Sequence, residues 1–168
     1  MDTIFALATP EGKSGVAIIR VSGKNAFKLF EKFSCPPVKP NGMGLRKLIV
    51  DNNLLDEALI LCFGEGLSFT GEKVVEIHHH GSLAIIHVCL SVLGSIGDFR
   101  MANPGEFTKR AFEHGRLDLS QVEGLSALID AETTVQLDQA QRVFKGALGK
   151  VVGGWRTVSY THLRAHET

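Results

Sequence analysis

The chain has 168 residues, long enough for one complete domain and part of a second. Its 18 Lys and Arg balance 18 Asp and Glu, so bulk charge gives no nucleic-acid surface and RNA binding by this stretch alone is not supported. Three cysteines, Cys35, Cys62 and Cys89, are odd in number and lack C-x-x-C spacing, which argues against a disulfide framework or thiolate zinc site; no apolar run approaches a membrane span and the start lacks a secretory pattern, so a cytoplasmic setting is expected.

Thr3 to Ala8 and Val16 to Val21 are β-rich runs separated by a glycine- and proline-punctuated loop, and they predict two neighbouring strands. Asn25 to Phe33 carries apolar residues near helical spacing, and Pro36, Pro37 and Pro40 forbid its continuation. Strands are predicted at Leu45 to Val50 and Ala58 to Phe63 around an Asp51-Asn52-Asn53 turn, and at Val74 to His78. Leu83 to Ile96 repeats as a helix. This order predicts an α+β domain, helices packed on a mixed or antiparallel sheet.

The run from Asn103 to Leu119 is the richest in signals. Pro104 suits a first helical turn, Glu106 sits at the positive end, Lys109 and Arg110 lie toward the negative end, and Gly115 stops the helix. Helix stability does not require an arginine at Arg116, between that stop and the next helix start, a place suited to capturing an anion or polar ligand. Beyond it, Asp118-x-x-Gln121 and Ser120-x-x-Glu123 each offer a capping box, and Leu137, Ala140, Phe144, Ala147, Leu148 and Val151 form an apolar stripe that needs a partner surface.

Three segments carry a family resemblance: Asp2 to Pro10 with Gly15 to Gly23, Phe69 to His78 ending in His80-Gly81, and the 103–119 run. Together they resemble the MnmE (TrmE) family of tRNA-modification GTPases, in its N-terminal folate-binding domain and the first helices of the helical domain. The fold so implied is also that of aminomethyltransferases. The resemblance implies a folate-binding and dimerisation domain over residues 1–117 and the truncated start of a helical domain over 118–157. Residues 158–168 match nothing in the family and read as a non-native tail of translated adapter sequence.

The resemblance also implies the ligand site. It places Arg20, Glu76 and Arg116 on family folate positions, with His80 a weaker candidate in a tight turn before Gly81, where the family's second glycine is replaced by Ser82. A carboxylate such as Glu76 accepts the paired donors of a pterin, and a guanidinium either stacks on a flat ring or binds a folate carboxylate. The implied cofactor is 5-formyltetrahydrofolate or methylenetetrahydrofolate, the one-carbon donor for wobble-uridine modification. The implied partners are a second copy in a homodimer and, for the longer family proteins, tRNA and the flavoprotein MnmG (GidA). GTP, potassium and magnesium belong to a GTPase domain that this chain does not contain.

No catalytic residue is assigned within the chain. Gly12-Lys13-Ser14 imitates the end of a P-loop, but its first glycine would fall at Leu7. His78-His79-His80 is not read as a metal site, because strand alternation points the middle ring away from its neighbours. Two other functions compete with the folate reading: a free-standing folate enzyme of the aminomethyltransferase type, and a purely structural dimerisation module.

Overall fold

The computed structural model describes residues 2–146; residues 158–168 and the end of the apolar stripe at Ala147, Leu148 and Val151 lie outside them. The chain divides into two compact units, the first running to Ala111 and the second opening at Phe112.

The first unit is a six-stranded mixed sheet. Strands β1 (Thr3–Leu7) and β2 (Ser14–Ser22) pair antiparallel. A 3-10 turn (Ala26–Lys28) and a single-turn helix α1 (Leu29–Lys32) follow. The hairpin β3 (Gly42–Val50) and β4 (Asn53–Phe63) leads to β5 (Val74–Gly81), helix α2 (Leu83–Gly94), the short strand β6 (Phe99–Met101) and helix α3 (Glu106–Glu113). The order across the sheet is β3-β4-β5-β2-β1-β6, with only the β1–β6 pair parallel. The α+β class read from the sequence is the class observed.

One face of the sheet builds the core. Ile19 and Val21 from β2, Val75 and Ile77 from β5, and Ile60 from β4 are fully buried with Leu29 and Phe33 of the α1 segment and Cys89 and Leu93 of α2. Strand alternation therefore turns Ile18, Arg20 and Ser22, and likewise Glu76, His78 and His80, toward the opposite face. That second face matters for function.

Several elements differ from the sequence expectation. The 25–33 helix shrinks to two short turns, because Asn25 gives it no side-chain cap and its amide instead donates to Asp98. Strands β3 and β4 extend beyond the predicted runs to meet at a two-residue turn where Asp51 and Asn52 both have positive φ, 49° and 63°, the left-handed geometry that matches hairpin twist. Helix α3 starts at Glu106, after a Pro104-Gly105 turn, and Gly115 ends its last turn at φ 67°.

The second unit contains α4 (Leu119–Ile129) and α5 (Thr134–Phe144). Of the two capping boxes available, Asp118 with Gln121 is the one used; a further box, Thr133 with Gln136, opens α5. The described part of the apolar stripe finds its partner in α4, where Gly124 lets the backbone of Phe144 approach and Ala140 is buried. Among the described residues no helix is long and apolar enough to cross a membrane.

Candidate functional site

Arg20 and Glu76, 56 positions apart in sequence, are direct cross-strand partners of β2 and β5. Arg20 Nε and Nη2 both donate to Glu76 Oε1 at 2.8 Å. The second carboxylate oxygen, Oε2, lies 3.2 Å from His78 Nε2. Glu76 is mostly buried and Arg20 about a third exposed, with side-chain exposures of 15% and 30%. The pair is thus shielded enough to be strong and open enough for a ligand to reach it.

The same rung continues across the sheet as Ala6, Arg20, Glu76, Leu61 and Met43, and the next carries Ile18, His78, Leu59 and Leu45. This charged pair therefore sits between aliphatic neighbours, and Met43, Leu45 and Leu59 are exposed. An apolar depression of about 330 Å³, lined by Met43, Leu61, Phe63 and Leu67 among others, lies one strand over from Glu76. Above Arg20, two aromatic rings approach the guanidinium: Phe69, in the loop before β5, at 5.9 Å and Phe107 of α3 at 5.8 Å from ring centre to Cζ. Each contact is within cation–π range.

The two remaining predicted residues, His80 and Arg116, have settings of their own. His80 shares the Glu76 face but lies four residues along β5, ~13 Å at strand rise. Its ring is 72% exposed and its Nδ1 contacts Asp56 Oδ1 at 2.8 Å. β5 runs through Gly81, where a Cβ would meet Ser14 Oγ at 2.0 Å, and a tight turn closes across Gly81 as the Ser82 N–H donates to the His80 carbonyl at 2.8 Å, leading into α2. His79 is buried on the core face while His78 and His80 point away from it, and among the described residues no cluster of three or more His, Cys, Asp or Glu is arranged for a metal. Arg116 is exposed in the bend between α3 and α4, in the second unit.

Sequence reading missed three members of this neighbourhood. Phe69 and Phe107 carry no signal until the sheet register is known. Arg110, read as a cation complementing the helix dipole, is buried at 3% exposure and bound to Glu72 and Asp2. All three cysteines are buried free thiols; burial pushes Cys62 up to about 11 and Cys89 up to about 12, which leaves them protonated and unreactive at neutral pH.

The family described as "GTP-binding protein TrmE N-terminus" matches residues 3–116. Curated relatives called "tRNA modification GTPase MnmE" align over nearly the whole chain. The protein from Cereibacter sphaeroides is 50% identical over 157 residues, 94% of this chain and 37% of its own length. That from Ruegeria sp. is 50% identical over 158 residues, with 94% and 37% covered, and that from Ehrlichia canis is 48% identical over 158 residues, with 93% and 35% covered. The chain thus spans little more than a third of the length of these relatives.

Proposed function

The chain belongs to the TrmE N-terminal family, and from that premise we propose that it binds a tetrahydrofolate derivative on the open sheet face at Arg20 and Glu76. The observation that carries this reading is the Arg20–Glu76 pair itself, set between apolar neighbours and under two phenyl rings. Glu76 Oε1 already accepts two hydrogen bonds from Arg20, so one donor of the ligand's amino and ring-amide edge comes to Oε2, whose other contact is the His78 ring. The aliphatic strip beside Glu76 and the Phe69 and Phe107 rings suit the faces of a heterocycle whose polar edge is turned to the carboxylate. A folate tail carries carboxylates, the kind of anion a guanidinium such as that of Arg116 binds.

In the longer protein the bound folate supplies the one-carbon unit for modifying the wobble uridine of tRNA, in the cytoplasm. GTP hydrolysis with potassium and magnesium, and cooperation with MnmG, are assigned to the full-length family proteins. This reading also assigns a second copy of the chain as partner, and the exposed Met43, Leu45 and Leu59 support it.

Calorimetric titration of the chain with 5-formyltetrahydrofolate tests the proposal. A micromolar Kd is expected, and Glu76→Ala should weaken it by ~1.5–3 kcal/mol as the charged hydrogen bonds are lost. No heat with the wild-type chain counts against folate binding. The same exposed patch favours a second reading, a purely structural dimerisation module. Sedimentation with and without the folate separates the two, because a structural module dimerises indifferently to it.

A further inference from the structure

Phe69 and Phe107 reach Arg20 from a loop and from α3, neither of which belongs to the sheet ladder. What fixes these two segments lies one step farther along β2. Ser22, two residues beyond Arg20 and so on the same face, donates to Glu72 Oε2 at 2.8 Å and pairs with Thr70 at 2.7 Å. Ser68 Oγ donates to the Glu72 carbonyl at 2.6 Å. Arg110 follows Phe107 by three residues on α3, close to one turn, and projects from nearly the same helix face. Its Nη1 donates to Glu72 Oε2 at 3.0 Å and to the Asp2 carbonyl at 2.9 Å, and its Nη2 reaches Asp2 Oδ1 and Glu106 Oε1, both at 3.3 Å.

Arg20 and Ser22 are ~6.6 Å apart along the strand and Phe107 and Arg110 ~4.5 Å apart along the helix axis, and the longer strand step is bridged by Glu72, which takes hydrogen bonds from both Ser22 and Arg110. A buried ion pair is a poor source of net stability, since desolvation offsets much of the attraction. It is a good register device, because a forked guanidinium with acceptors on three segments accepts only one placement.

We propose that Arg110 and Glu72 are positioning residues for the Arg20–Glu76 site: their ion pair locks α3 and the loop before β5 in one register over the sheet, and this holds Phe69 and Phe107 against the Arg20 guanidinium. Arg20 is thereby kept aimed at Glu76 instead of swinging into solvent. The effect on ligand affinity rests on the folate reading; the effect on Arg20 itself does not.

The test uses the full chain, labelled with ¹⁵N, and follows the side-chain Nε–H signal of Arg20, identified by its loss in Arg20→Lys. In the wild type this proton is held on Glu76 Oε1 and should exchange slowly with water. Arg110→Lys and Glu72→Gln should each speed that exchange about tenfold and raise the Kd for 5-formyltetrahydrofolate by about tenfold, while the backbone amides of β1, β2 and β5 keep their positions. Phe107→Leu leaves the ion pair in place and should reproduce the faster exchange. Arg20→Lys with Arg110→Lys should bind folate no worse than Arg20→Lys alone, a non-additivity that a general loss of stability does not give.

Unchanged Arg20 exchange in a folded Arg110→Lys or Glu72→Gln chain overturns the proposal. Should both variants unfold, unchanged exchange in Phe107→Leu overturns it instead. If the wild type binds no folate but Arg20 exchange still responds to Arg110→Lys, the positioning role stands and the folate reading falls.

Discussion

Glu76→Gln separates the two duties of this carboxylate, because it preserves shape and removes only charge and one acceptor. In the wild type, Glu76 Oε1 receives two hydrogen bonds from Arg20 at 2.8 Å and Oε2 lies 3.2 Å from His78. A glutamine keeps one oxygen for Arg20 but turns an NH₂ toward His78 and the open face. Fully buried pairs lose 3–5 kcal/mol when one partner is removed and exposed pairs lose ~0–1, so a pair with a 30%-exposed arginine falls between them. A folding loss of ~1.5 kcal/mol follows, which lowers Tm by ~5 °C in a domain of this size. Binding should suffer more, because the new amide presents a donor to the ligand's donors. A loss of ~1.5–3 kcal/mol corresponds to ~10- to 150-fold in Kd. Scanning calorimetry and titration with 5-formyltetrahydrofolate on the same preparation read both numbers. An unchanged Tm would refute a formed Arg20–Glu76 pair in solution, and a lowered Tm with unchanged Kd would leave the carboxylate a purely structural role.

Three other outcomes follow from the geometry. Gly81→Ala should destabilise the first unit by ~1–3 kcal/mol, since the new Cβ meets the Ser14 backbone oxygen at 2.5 Å and the strands must part; thermal unfolding checks this. Gly124→Ala should lower the melting temperature of the α4–α5 pair followed by circular dichroism, because a Cβ 2.6 Å from the Phe144 nitrogen forces the helices apart at a cost above the ~1 kcal/mol of helix propensity that alanine adds; a higher melting temperature would contradict the close approach. The hydrogen bonds from Arg100 hold the Glu106 carboxyl down at about 2, well below its ordinary 4.5. Its contribution to stability is therefore complete above pH 4.5 and is lost as pH falls from there toward 2, so Glu106→Gln should flatten the denaturation midpoint against pH in that interval and leave its slope near neutrality unchanged.

How far the sequence discloses this molecule depends on the range over which each signal acts. Strands β1, β2 and the first half of β5 are rich in β-branched residues and announce themselves. Strand β6 is only three residues long and gains its identity from pairing beside β1, a partner almost 100 positions away. The outer half of β3 carries Gly42 and Gly44 at a sheet edge, where propensity says turn and only the β4 ladder says strand. The Thr133 and Gln136 capping box was readable by the same rule that found Asp118 and Gln121.

For the site, residue chemistry and family resemblance single out Arg20 and Glu76, but their contact is a matter of register between distant strands. Arg110 is the instructive miss. Its position in the last turn of α3 has a sufficient local explanation in the helix dipole, and nothing local reveals that Glu72 and Asp2 enclose it. Arg116 shows the reverse, a residue whose setting between two helices suggested support on both sides and which is exposed in the structure.

The central claim, that the open sheet face around Arg20 and Glu76 receives the folate, is tested most directly by electron density from crystals of the chain grown with 5-formyltetrahydrofolate. The pterin is expected within hydrogen-bond distance of Glu76 Oε2 and in contact with Phe69 or Phe107. Clear density for the folate at another surface, with Glu76 still engaged only by Arg20 and His78, would contradict it.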